Sequence, residues 1–205
     1  MNIEVKNSIK PVDYLESIDI LEKRVDDILL GKKEELLWIL EHNIVYTAGT
    51  STNYKDLLDK ELRIIKTNRG GQLTLHSPGQ KVIYFVLNLN KRKKDIRKLI
   101  SKIENCIIEI LKEYKIKSYA DKKNIGIWVN DKNKSMKIAA IGIRVRKWIA
   151  YHGFSLNVSN DLSKYEGIIP CGIKNKKITN LKKLGVVEFN NIESVIIKKF
   201  LNIFA

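Results

Sequence analysis

The sequence predicts an α+β domain built on a mixed, largely antiparallel sheet flanked by helices. Two observations carry that prediction. Short runs rich in branched and aromatic residues follow one another without helices between them, whereas a parallel sheet would need a crossover of a dozen or more residues between successive strands. Three other segments repeat their apolar residues every three or four positions, the period of a helix with one buried face.

The first helix is expected from Asp13 to Leu30. Tyr14, Leu15, Ile18, Leu21, Val25, Ile28 and Leu29 share one stripe, Asp13 is suited to the N-cap and Gly31 to the stop. A run of strands follows: "ELLWILEH", "NIVYTAG", "RIIKT", "QLTLH" and "KVIYFVLNL". The second helix is expected from Lys94 to about Tyr114, where Ile96, Leu99, Ile100, Ile103, Ile107, Ile110 and Leu111 line up and Cys106 lies beside them. Three further strands come next, "NIGIWV", "KIAAIGIRV" and "WIAYHGFSLNV", the first two joined by a hairpin loop at "NDKNKS". "NNIESVIIKKFLNIFA" repeats the helical period through Ile192, Val195, Ile196, Phe200 and Ile203, so a third helix should dock there. With no internal repeat and no Gly/Ser-rich linker, one domain spanning 1–205 is expected.

Composition narrows the function classes. At 44% hydrophobic content the 205 residues can bury a substantial core. The opening segment carries acidic residues throughout and no unbroken apolar run, so neither a secretory signal nor a spanning helix is expected. Two cysteines, Cys106 and Cys171, supply no disulfide framework and too few thiols for a structural zinc site, which suits a cytoplasmic protein. The 38 basic and 23 acidic residues leave a net charge of +15, able to attract nucleic acid, anionic lipid or an acidic protein. Much of it reads as a solvated face in a Lys, Ile and Asn-rich composition, and the cluster from Lys91 to Lys94 lacks the interleaved aromatics on which single strands stack.

Four segments look unlike scaffold. "NRGGQLTLHSPGQ", Asn68 to Gln80, holds paired glycines that let a backbone approach a ligand, and an SPG turn. It has neither the Walker spacing nor G-x-G-x-x-G. "MKIAAIGIRV" places Lys137 at the start of an apolar strand, where it either snorkels to water or, if desolvated, exchanges protons near neutrality. "YHGFSLNV" carries a glycine inside a strand, and Gly153 there suggests a bulge or a ligand against the backbone. In "EGIIPCGI", Pro170 and Gly172 put Cys171 on a shaped loop where a thiol can meet a substrate. An unperturbed thiol is only about 3% ionised at neutral pH, so a nucleophilic Cys171 needs a neighbouring cation or base. Lys137, His76 and His152 are the candidates.

Taken in order, "EHNIVYTAG", "RGGQLTLHSPGQ", "KIAAIGIRV", "HGFSLN" and "IIPCGI" resemble the lipoyl (octanoyl) transferases, over roughly Glu41 to Leu181. Leu75, Ser77, Phe85 and Asn180 depart from that pattern. The resemblance implies the fold of lipoate and biotin protein ligases, with no cofactor and no metal. It makes Cys171 the acyl-thioester nucleophile and Lys137 the residue that lowers its pKa and shuttles protons. It places acyl binding at Arg69, Gly70, Gly71, Gln72, Leu73, Thr74, Leu75 and His76, at Ala140, Ile141 and Gly142, and at Gly153, Phe154 and Ser155. The implied donor is octanoyl acyl carrier protein. The implied acceptors are lipoyl domains of 2-oxoacid dehydrogenase and glycine cleavage proteins, with neither nucleic acid nor membrane as partner. The rival enzyme is an ATP-dependent lipoate or biotin ligase of the same fold, and the rival from another class is a basic nucleic-acid-binding module.

Overall fold

Helix α1, Tyr14–Leu29, begins where the Asp13 carboxylate accepts the Glu16 N–H and ends before Gly31 at φ +70°. A side-chain acceptor at the N-cap satisfies one of the four orphan donors of the first turn. The computed structural model describes residues 2–131, 134–172 and 177–205, the side chains of residues 131 and 171 excepted. Strand β1 (Ile3–Asn7) precedes α1. After it come β2 (Glu35–Leu40), β3 (Val45–Ala48), β4 (Ile64–Lys66), β5 (Leu73–His76) and β6 (Gln80–Asn88). Helix α2 (Ile96–Glu113) is capped by Asp95 and followed by β7 (Ser118–Ala120), β8 (Ile127–Asp131), β9 (Lys134–Arg146), β10 (Ile149–Asn157), β11 (Lys177–Ile178) and α3 (Ile192–Phe204). The two middle residues of the expected "NDKNKS" loop, 132 and 133, lie outside the described residues, but β8 and β9 pair antiparallel on either side of them.

The strands form two sheets. The larger runs β1-β2-β6-β10-β9-β8-β7, antiparallel except between β1 and β2, with β11 parallel to β9. The smaller runs β4-β3-β5. Helices α2 and α3 cover one face of the large sheet, burying Ile103, Cys106, Ile107, Ile196 and Phe200 against Leu37, Ile83, Phe85 and Phe154. Helix α1 covers part of the other, with Leu21 and Val25 on Trp38, Tyr84 and Tyr151. Each such side chain is worth about 1.5–3 kcal/mol in transfer out of water. The small sheet lies on the α1 side, where the Tyr14 hydroxyl donates to Thr67 and the Gly70 N–H to the Ile143 carbonyl. The trough of the site lies between the two sheets.

Gly153 departs from the sequence expectation. The register of β10 against β6 and β9 is continuous from Ile149 onward, with no bulge at the glycine. A Cβ there would sit 1.9 Å from the Ile83 carbonyl oxygen, so the neighbouring strand is what excludes a side chain. The left-handed residue is instead His152, at φ +68°.

Candidate active site

The roof of the site is the segment from Arg69 to His76. Gly71 takes φ +90°, and a Cβ on Gly49 would lie 2.3 Å from the Gly71 carbonyl, so two glycines let the roof fold back on β3. The Arg69 guanidinium staples the fold. It donates to the Thr47 carbonyl at 2.9 Å, the Gln72 carbonyl at 2.8 Å and the Gly70 carbonyl at 3.0 Å. Beyond β5, Pro78 and Gly79 (φ +80°) turn the chain, closed by the Gln80 N–H on the Ser77 carbonyl. Ser77, a departure from the family pattern, is the first residue of the turn, and its hydroxyl is buried without a partner among the described residues.

Floor and roof enclose a narrow pocket. Roof residues Arg69, Gly71, Gln72, Thr74 and His76 face Ala140, Ile141 and Gly142 of β9, Gly153, Phe154 and Ser155 of β10, and Val82 and Tyr84 of β6. Strand alternation sends Leu73 and Leu75 the other way, into a small core with Ala48, Tyr165 and Ile168. Gly70 contributes main chain, its N–H bonded to Ile143 and its carbonyl against Gly142.

A second, smaller cavity continues this pocket, sharing Thr74, Ala140 and Ser155 with it and adding Lys137, Asn157, Tyr165, Pro170 and Ile178. Lys137 is only 3% exposed and does not snorkel. Its strand is flanked at that point by Trp128 of β8 and Ile178 of β11. The Nζ donates to the Ile125 carbonyl at 2.9 Å and lies 5.0 Å from the Trp128 ring. Gly126 makes room, since a Cβ there would meet Lys137 Cε at 2.8 Å. Pro170–Gly172 forms a single 3-10 turn. The Cys171 side chain lies outside the described residues, but the turn is placed by its neighbours. Gly172, at φ +68°, has its missing Cβ 2.3 Å from Gln72 Oε1, an oxygen that is buried without a hydrogen-bond partner among the described residues.

The two rival histidines occupy other places. His76 Nδ1 donates to Gln80 Oε1 at 2.7 Å, and burial lowers its pKa to about 3. His152 Nε2 donates to Asn68 Oδ1 at 2.7 Å, its Nδ1 has no partner among the described residues, and burial again holds it at about 3. Both line the larger pocket, and neither lines the cavity that Lys137 shares with Pro170. The other cysteine, Cys106, is in the core between α2 and the sheet, and burial pushes its thiol up to about 12. Such a thiol is inert as a nucleophile. No group of three or more His, Cys, Asp or Glu able to hold a metal is present among the described residues.

This geometry has known counterparts. The catalytic-domain model of lipoyl protein ligases A and B matches residues 13–201. The octanoyltransferase of Ehrlichia chaffeensis is 44% identical over 206 residues, covering 99% of this chain and 96% of its own length. That of Wolbachia pipientis subsp. Culex pipiens is 45% identical over 194 residues, covering 94% and 95%. This chain belongs to the octanoyltransferase family. Membership makes it an acyltransferase. A lipoate-protein ligase A bound with ATP superposes with a TM-score of 0.78 at 15% identity, over 98% of this chain and 85% of that one, which shows a shared fold.

The family motifs give the roof and the β9 and β10 stretches of the pocket and include His152, considered only as a partner for Cys171; they do not give Val82 or Tyr84 as pocket residues. Val82 and Tyr84 look like ordinary alternating residues of a buried strand. His152 reaches the pocket only because of its left-handed backbone, which nothing in the local sequence announces.

Proposed function

We propose that this octanoyltransferase family member carries an octanoyl group on Cys171, taking it from octanoyl acyl carrier protein and giving it to a lysine of a lipoyl domain. The observation that carries the reading is the shared cavity: the buried Lys137 amine and the turn that bears Cys171 open together onto the trough between the sheets. The Cys171 thiolate adds to the donor thioester carbonyl, the donor C–S bond breaks, and the Lys137 ammonium protonates the departing thiolate. The acceptor amine then adds to the acyl-cysteine, the new C–S bond breaks as the amide forms, and the neutral Lys137 amine takes the proton that nitrogen loses. With the Gly70 N–H bonded to the Ile143 carbonyl and the Gly172 N–H to the Ile169 carbonyl, the backbone N–H groups of Gly71 and Cys171 are the candidates to stabilise the oxyanion. Thioester exchange is nearly isoenergetic and amide formation from a thioester is downhill, so ATP is not required. The basic surface supports encounter with an acidic carrier protein, and no helix among the described residues is long and apolar enough to cross a membrane. We place the reaction in the cytoplasm.

Intact-mass and peptide mapping after incubation with octanoyl carrier protein should show one octanoyl group, on Cys171, with none on Cys106. Cys171→Ser should lose it, and Lys137→Ala should lose transfer. An adduct on Cys106, normal turnover by Cys171→Ser, or activity only with free octanoate and ATP would overturn the reading, the last in favour of a ligase.

A further inference from the structure

Resting on that reading, we propose that His152 is the end wall of the acyl pocket and sets the length of chain it accepts. Ser155 borders both cavities and so marks the end nearest Lys137. His152 lies three residues back along β10, and at about 3.3 Å per residue the floor between them is about 10 Å long. An extended eight-carbon acyl chain spans about 9 Å from carbonyl to methyl carbon at ordinary carbon–carbon bond lengths. Antiparallel pairing confirms the direction: Ser155 lies opposite Ala140, and His152 opposite Ile143, farther from Lys137.

The backbone of His152 is what builds the wall. Strand alternation would send this side chain to the α2 and α3 face with Ala150 and Phe154. Its φ of +68° turns the ring onto the pocket face instead, stacked on Tyr151 at 4.8 Å and edge-on to Tyr84 at 6.4 Å. The ring is fixed there by Asn68, whose amide in turn donates to Glu22, and the roof closes over it where Gly70 bonds Ile143 and Arg144 donates to the Asn68 carbonyl. His152 is a specificity-determining residue in this scheme and takes no part in bond making.

The test is the ratio of kcat/KM for decanoyl against octanoyl carrier protein, a ratio from which the fraction of active enzyme cancels. His152→Gly removes the ring and suits the left-handed backbone. His152→Asn tolerates the same backbone with a smaller side chain and serves if the glycine variant does not fold. Each newly buried methylene is worth about fourfold, so the ratio should rise by about fifteenfold in His152→Gly, and by less in His152→Asn. Variants that accept an octanoyl group on Cys171 from octanoyl carrier protein yet keep the wild-type ratio would overturn the end-wall assignment alone. Absence of any octanoyl adduct on the wild-type protein would instead remove the functional reading beneath it.

Discussion

Mild acid should destabilise this protein through its histidines. The chain has three, His42, His76 and His152, and all are buried. Burial holds His76 and His152 at about 3 and lowers His42 as well. In the unfolded chain each ring takes up a proton as pH falls through about 6.5, while the native rings stay neutral. The unfolded state therefore binds more protons, and the stability present above pH 6.5 drains away as pH falls until the native rings themselves protonate near 3. Between pH 7 and pH 5.5, above the range where most carboxylates titrate, each of the two strongly shifted rings should cost about 1.2 kcal/mol, about 2.5 kcal/mol together, with His42 adding in the same direction. At a urea slope of about 2 kcal/mol per molar, the unfolding midpoint should fall by about 1 M. His152→Asn should shrink that fall by about half. Equal midpoints at the two pH values, or a fall that His152→Asn leaves unchanged, would refute the account.

Two other outcomes follow from backbone geometry. Gly153→Ala drives a methyl into the Ile83 carbonyl of the adjoining central strand; soluble yield should collapse, or the urea midpoint should report a loss above about 3 kcal/mol, and a midpoint like wild type would count against the packing described. The β9–β10 hairpin turns on Lys147 and Trp148, both left-handed at φ +50° and +62°, where Asn and Gly are the usual residues. Lys147→Asn should therefore raise the thermal midpoint slightly, by about 0.5 kcal/mol of stability, and a lower midpoint would contradict it.

Helices α1, α2 and α3 were legible because their apolar period is long and, for α1 and α2, capped by Asp13 and Asp95. The second began two residues later than expected, at Ile96, because the Asp95 side chain accepts the Lys98 N–H and fixes the start. Strands β2–β6 and β8–β10 were legible from their branched and aromatic runs, the short β3, β4 and β5 included. The strands the sequence did not announce are β1, β7 and β11. In β1 four of five residues are exposed, and the other two span only three and two residues, so pairing rather than pattern creates them. The division into two sheets was likewise hidden, because it depends on how the glycines of the roof fold back onto β3. Within the site, the roof and Lys137 were readable from motif positions. The environment of Lys137 was not, since Ile125, Trp128 and Pro170 converge on it from elsewhere along the chain.

The stapling of the roof by Arg69 constrains traffic. Its guanidinium ties three carbonyls, and Gly70 is bonded across to β9, so this stretch is no hinged flap. Under the proposed acyl-cysteine route, a fatty tail would thread in methyl-first from the cysteine end and back out along the same track. On that proposal, handover between donor and recipient would happen at a single doorway, and the two protein partners would take turns there.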